Sequence, residues 1–111
     1  MAVSVKTSGA QAATVTTEHT LATVTDAGVY QSTIEVDALV GGTTPDILEI
    51  RLYGKVRSGD TEQLIKAWSL IGVQSEKQWI SPPLISPHHY KLTLKQTQGT
   101  SRTFEWAIYN T

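Results

Sequence analysis

Three histidines, His19, His88 and His89, are the side chains of this chain best suited to bind a metal or shuttle a proton near neutral pH. Their spacing works against a shared metal. Adjacent residues on a strand point to opposite faces, so His88 and His89 would not chelate one ion together. A catalytic metal site also needs a third ligand, and no carboxylate is placed by sequence to supply it. The three rings therefore read as exposed or interfacial. The chain has no cysteine, which removes disulfides and thiolate metal sites.

Nucleophilic chemistry has no better footing. Serines and threonines are many, but none lies in a Gly-x-Ser-x-Gly elbow. A Ser-His-Asp triad is defined by geometry, which spacing alone cannot supply. Asp46 and Glu49 are the closest acidic pair beside a loop. On a strand they would face opposite ways, as solvated surface. No Gly-x-x-x-x-Gly-Lys-Ser/Thr or Gly-x-Gly-x-x-Gly loop is present to cradle a phosphate. The expectation is a protein that is not an enzyme and uses no cofactor and no metal.

The remaining chemistry is aromatic. Trp68, Trp79 and Trp106 could stack on sugar rings. Trp68 and Trp106 fall in apolar alternation, which places them in a core. Trp79 follows Glu76-Lys77-Gln78 and precedes a proline-rich stretch. It is the aromatic expected to be exposed, as an interface contact.

The elements that must position these residues are strands. His88–Thr97 and Arg102–Tyr109 alternate polar and apolar around the turn Gln98-Gly99-Thr100-Ser101. Tyr90, Leu92 and Leu94 share one face, and Phe104, Trp106 and Ile108 share another. A short Gly-containing link between two such runs predicts a β-hairpin, 88–97 with 102–109. Thr14–Thr17 and His19–Thr25 are short β-prone runs. Val29–Asp37 sets Tyr30, Ile34 and Val36 on one face. Ile47–Arg57 sets Leu48, Ile50, Leu52 and Val56 on one face and Glu49, Arg51, Tyr53, Lys55 and Arg57 on the other. Thr61–Val73 fits both helical and strand spacing, and its β-rich neighbours favour a strand. Gln78–Ser81 is a short strand before Pro82-Pro83 and Pro87, which break the chain. The expected fold is all-β: a single-domain antiparallel β-sandwich, jelly-roll-like, of about seven or eight strands over residues 14–111. Residues 1–13, small and weakly patterned, read as an N-terminal arm that orders on a partner.

Composition narrows the partners. The 111 residues fit one domain. Net charge is −1 and charged residues are 17%, below the ~25% of ordinary domains. Nucleic-acid binding by phosphate neutralisation is not expected, for want of a basic cluster. No apolar run approaches the ~18 residues of a membrane span, and no basic-then-apolar leader opens the sequence. A soluble protein made in the cytoplasm is the expectation. A low-charge, Thr-rich surface suits packing against protein.

Two blocks carry a family resemblance. The first runs Leu21-Ala22-Thr23-Val24-Thr25-Asp26-Ala27-Gly28-Val29-Tyr30 and continues at Leu48-Glu49-Ile50-Arg51-Leu52-Tyr53-Gly54-Lys55-Val56. The second runs from Leu92 to Trp106. Together they resemble a group of small virion proteins of tailed bacteriophages. The resemblance spans residues 18–111, and the 41–45 loop is longer than in the group. It implies a virion structural component, most plausibly a decoration or cement protein on the capsid surface, made in the host cytoplasm. The implied partners are the major capsid protein and other copies of the chain, as a trimer first and a dimer second. Val3, Val5 and Lys6 of the arm, with Trp79 and His88, are the candidate contacts. A glycan- or receptor-binding module of a head or tail fibre is the alternative.

Overall fold

The structure is a computed structural model that describes residues 3–110. Met1 and Ala2, which open the expected arm, and Thr111 lie outside the described residues. All regular elements among those residues are strands: β1 Ser4–Ala12, β2 Glu18–Val24, β3 Gly28–Glu35, β4 Ile47–Gly54, β5 Gln63–Ile71, β6 Gln78–Ile80, β7 Leu84–Ser86, β8 Tyr90–Gln98 and β9 Thr103–Asn110. One sheet has the order β1-β9-β3-β6, with β7 also on β3. The other has the order β2-β8-β4-β5. Every pairing is antiparallel.

β6 and β7 are two halves of one strand. Both lie along β3, β6 at Thr33–Glu35 and β7 at Gly28–Tyr30. Pro82-Pro83 interrupts them, because proline has no N–H to give a ladder. Side chains make good the loss. Ser32 N–H donates to Ser81 Oγ at 2.9 Å, and Gln31 Nε2 donates to the Ser81 carbonyl at 2.7 Å. Counted this way the sandwich has eight strands, four to a sheet. Successive strands change sheet at each connection except β4–β5 and the β6–β7 break. That path is the double Greek key of a jelly roll.

The expected hairpin of 88–97 with 102–109 does not form. β8 pairs with β2 and β4, whereas β9 pairs with β1 and β3 in the other sheet. Tyr90, Leu92 and Leu94 face Phe104 and Ile108 across the interior, all but sealed from solvent. Alternation marks an inward face but not the sheet that carries it. The turn between them is a corner from one layer to the other.

The arm also needs correcting. Residues 4–12 form β1, paired with β9 from Ser4↔Asn110 to Ala12↔Thr103. β1 carries no apolar stripe because it is an edge whose inward positions are Thr7, Gly9 and Gln11. Gly9 is empty for a reason: a Cβ there would stand 3.1 Å from Cζ2 of Trp106, whose ring occupies the space. Val56, expected to face the core, is exposed, because β4 ends at Gly54.

Thr61–Val73 resolves as the strand β5, not a helix. Tyr30, Ile34 and Val36 are buried, as their shared face requires. The rings of Tyr30 and Tyr90 meet at 5.3 Å, and Tyr90 Oη and Ser32 Oγ lie 2.5 Å apart. Phe104 is fully buried, whereas Trp106 is half-buried against the core rather than within it. Phe104→Ala should therefore cost about 3–5 kcal/mol in unfolding free energy. Trp106→Ala should cost about half as much, in proportion to the apolar area it buries. Urea titrations of the two variants check the order, and a larger loss at Trp106 would contradict it.

Candidate functional site

Three groups of polar side chains are candidates for a site, and two of them hold the fold. The first pins the β8–β9 corner. Asp46, nearly sealed from solvent, accepts N–H groups from Val40 at 3.0 Å and Thr100 at 3.0 Å, and the Arg102 Nε–H at 2.9 Å. Burial pushes its carboxyl up, but those donors and the guanidinium outweigh burial and hold it below the usual carboxylate range. Gly99 turns the chain at φ +99°, and a Cβ there would overlap the Asp46 carboxylate. Gln96, also buried, accepts Arg102 N–H and donates to the Thr100 carbonyl at 2.6 Å.

The second group coats the outer face of β2-β8-β4. Glu18 accepts Tyr53 Oη–H at 2.7 Å and Thr93 Oγ1–H at 2.6 Å, with Arg51 at 3.3 Å. Glu62 takes Lys91 and His89 at 2.5 and 2.7 Å. Hydrogen bonding from Lys91 leads the causes that hold the Glu62 carboxyl low. This His–Glu pair is half of a relay, but no hydroxyl among the described residues hydrogen-bonds the His89 ring. His19 lies elsewhere, accepting the Thr14 N–H at Nε2 in the β1–β2 connection. His88 is exposed. The three histidines are not brought together, and no group of three or more potential metal ligands occurs among the described residues.

The third group, Glu35 and Glu105, lines a shallow concavity of about 440 Å³ on the outer face of β1-β9-β3, with Ser8, Thr33, Gln78 and Tyr109. Hydrogen bonding to Glu105 and its negative charge raise the Glu35 carboxyl above its ordinary range.

The expected contacts separate. Trp79 does not stand out from the surface. It is 9% exposed and packs edge-on against Trp68 at 4.8 Å, closing one side of the sandwich between β6 and β5. A three-residue strand has one inward position, and Trp79 occupies it. Val3, Val5 and Lys6 lie at the same end of the sandwich as His88 but on the opposite edge of the sheet, three strands away. Ser4, Asn110, Tyr30 and Leu84 lie in one row of the sheet, so the start of β1 and the β7–β8 connection share an end of the sandwich. Val3 and Val5 are exposed there, and Lys6 reaches Asp26 in the β2–β3 turn at 2.6 Å.

That end holds residues the sequence reading passed over. Val56, Ile65, Ile85 and Pro87 line a hollow of about 570 Å³ with Gly54, Lys55, Asp60, Thr61 and Gln63. Ile85 is 82% exposed and Val56 81%. One signal was available: Ile85 lies between Pro82-Pro83 and Pro87, which force an extended chain where side chains alternate. With Ile65, which is also exposed, Ile85 and Val56 form a cluster of exposed apolar groups around the hollow rather than single scattered ones. No family model, no curated protein and no solved structure matches this chain.

Proposed function

We propose that this protein is a non-catalytic structural component of a tailed-phage virion, a decoration protein that sits on the outside of the head and stabilises it. The resemblance over residues 18–111 supplies the class. The observation that carries the docking mode is the exposed apolar patch where Ile85, Val56 and Ile65 line a hollow between the end of β4, β5 and β7. The jelly-roll path adds only an analogy, since capsid and lectin domains both use it. Many copies on a repeating lattice multiply a modest contact into firm attachment.

The test mixes the full-length protein with undecorated heads and measures occupancy and particle heat resistance. Ile85→Glu should weaken binding by about 30-fold, as at an interface hot spot of about 2 kcal/mol. The domain should still fold, because Ile85 is exposed. Wild-type protein that fails to bind heads would remove the proposal. Full binding by Ile85→Glu would move the contact away from this end. The concavity at Glu35, Glu105 and Tyr109 favours a second reading, a glycan-binding module, since its lining combines hydrogen-bonding groups with the aromatic residues Trp106 and Tyr109. Saturable binding on a glycan array, abolished by Tyr109→Ala, would select that reading.

A further inference from the structure

Two sheets have four edges, and natural edges carry devices against pairing with another chain. On β5 the register slips between Leu52 and Tyr53 of its partner, a bulge at Ile65, and Lys66 faces the core side opposite the buried Leu52. On β2 there is an irregularity between Thr20 and Ala22. The β6–β7 edge is broken by Pro82-Pro83. β1 has its bulge between Val5 and Thr7, with its one charge, Lys6, already engaged by Asp26. From Thr7 to Ala12 β1 is regular, uncharged and free of proline. The longest comparable run on another edge is 67–71 of β5, five residues that include the bulky Trp68, Leu70 and Ile71, whereas residues 7–12 of β1 give six with mostly small side chains.

We infer that the free edge of β1 is a self-pairing interface, joining two copies of this chain as an antiparallel dimer through residues 7–12. The ladder shows which groups are free. Ala13 N–H donates to the Arg102 carbonyl at 2.8 Å, so it points toward β9. Backbone groups alternate direction along a strand, and the N–H and C=O groups of Ser8, Ala10 and Ala12 therefore point away. A two-fold axis normal to the sheet at Ala10 sets Ser8 opposite Ala12 and Ala10 opposite itself. The outward groups then meet in pairs, for about six hydrogen bonds; the Ala12 carbonyl, which already accepts Gln11 Nε2–H at 3.0 Å, takes the new donor on its second lone pair or exchanges the first for it. The same axis keeps both core faces on one side.

Side chains do not oppose the approach. Ser8, Ala10 and Ala12 are small, and Gly9 has none. No like charges face each other, and a copy carries a net charge of only −1. The six-residue run is ~20 Å long, and the shortest extent of the molecule is 19 Å. Covering that flank removes roughly 800 Å² in total, the size of a weak interface, so the backbone hydrogen bonds supply the specificity and the dimer forms at high concentration. A surface that pairs with itself closes at two copies, so the assembly is a dimer and not the trimer implied by the resemblance. This inference stands whether or not the protein binds a phage head.

Sedimentation velocity on the full-length chain up to about 100 µM, a concentration that populates even a weak dimer, tests it. The expected species is a dimer. Ala10→Pro should weaken it on the order of 100-fold, by removing the central hydrogen bonds. The proline should leave the monomer intact, because that N–H faces solvent there. Ala10→Lys, which sets two ammonium groups at the axis, should also give monomer and decides the matter if the proline variant does not fold. Ile85→Glu, remote from β1, should remain dimeric. A wild-type monomer, a trimer, or a dimer that survives a folded Ala10 variant would overturn the inference.

Discussion

Deleting residues 2–13 is expected to unfold the domain rather than trim a spare arm. β1 pairs with β9 along nearly its whole length and covers the flank of Trp106 over Gly9. Without β1, β9 becomes an edge, and the side of the interior near Phe104 and Ile108 loses its cover. Ala13, which is buried, goes with it. Backbone hydrogen bonds contribute about 0.5–1.5 kcal/mol each. Losing a ladder of this length costs on the order of 5 kcal/mol, comparable with the ~5–15 kcal/mol that holds an ordinary domain together. Circular dichroism and thermal melting of the truncated chain check this. A cooperative melt within a few degrees of full length, where about 1 kcal/mol already shifts a domain of this size by ~4–8 °C, would show that β1 is dispensable. Residues 2–13 would then behave as an arm.

Asp46→Ala should be the most damaging single substitution at a polar site. It strands two backbone N–H groups and the Arg102 guanidinium, all aimed at a carboxylate with almost no access to water. Breaking a buried charge pair from one side costs about 3–5 kcal/mol. The Arg102 side chain is 30% exposed, so water relieves part of its loss and the lower half of that range is expected. The pH dependence follows from the depressed carboxyl. An unfolded aspartate titrates near ~3.9, and Asp46 titrates lower in the fold. Its stabilisation is complete above the unfolded value and is lost as pH falls through the folded one. Glu18 and Glu62 are depressed as well and lose stability on the acid side too. Asp46→Asn therefore provides the comparison: its urea midpoint should fall less between about pH 6 and pH 3, a window that brackets an ordinary aspartate, than that of the parent chain. Parallel acid profiles would show that the corner does not depend on the charge.

The same corner shows why part of the fold could be read and part could not. Gly99 within a polar turn announced a reversal, and the runs on either side announced strands. Nothing local distinguished a hairpin from a crossing between sheets. The deciding groups are Asp46, Arg102 and Gln96, and Asp46 lies far from the others in the chain. The docking end was half legible. Val3, Val5, Lys6 and His88 were marked as contacts, and the register puts their segments at one end of the sandwich but on opposite edges of the sheet. Ile85 and Val56 were missed, because their exposure depends on where β4 ends and on which side of the β6–β7 break the chain turns outward.

Side-chain alternation determined from sequence alone that the chain is all-β, and which faces of residues 30–36, 48–52, 90–94 and 104–108 lie inward. That information is local: period two follows from the backbone of one strand, and each of these strands has apolar residues on its inward side. Only the tertiary structure decided the partners. It split β8 and β9 between sheets, drew residues 4–12 into an edge, and turned Trp79 against Trp68. Those outcomes depend on backbone hydrogen bonds between distant segments and on one side chain filling space that another leaves empty. Gly9 is the clearest instance: its position reads as weak pattern in sequence because the apolar group that fills it, the indole of Trp106, belongs to another strand.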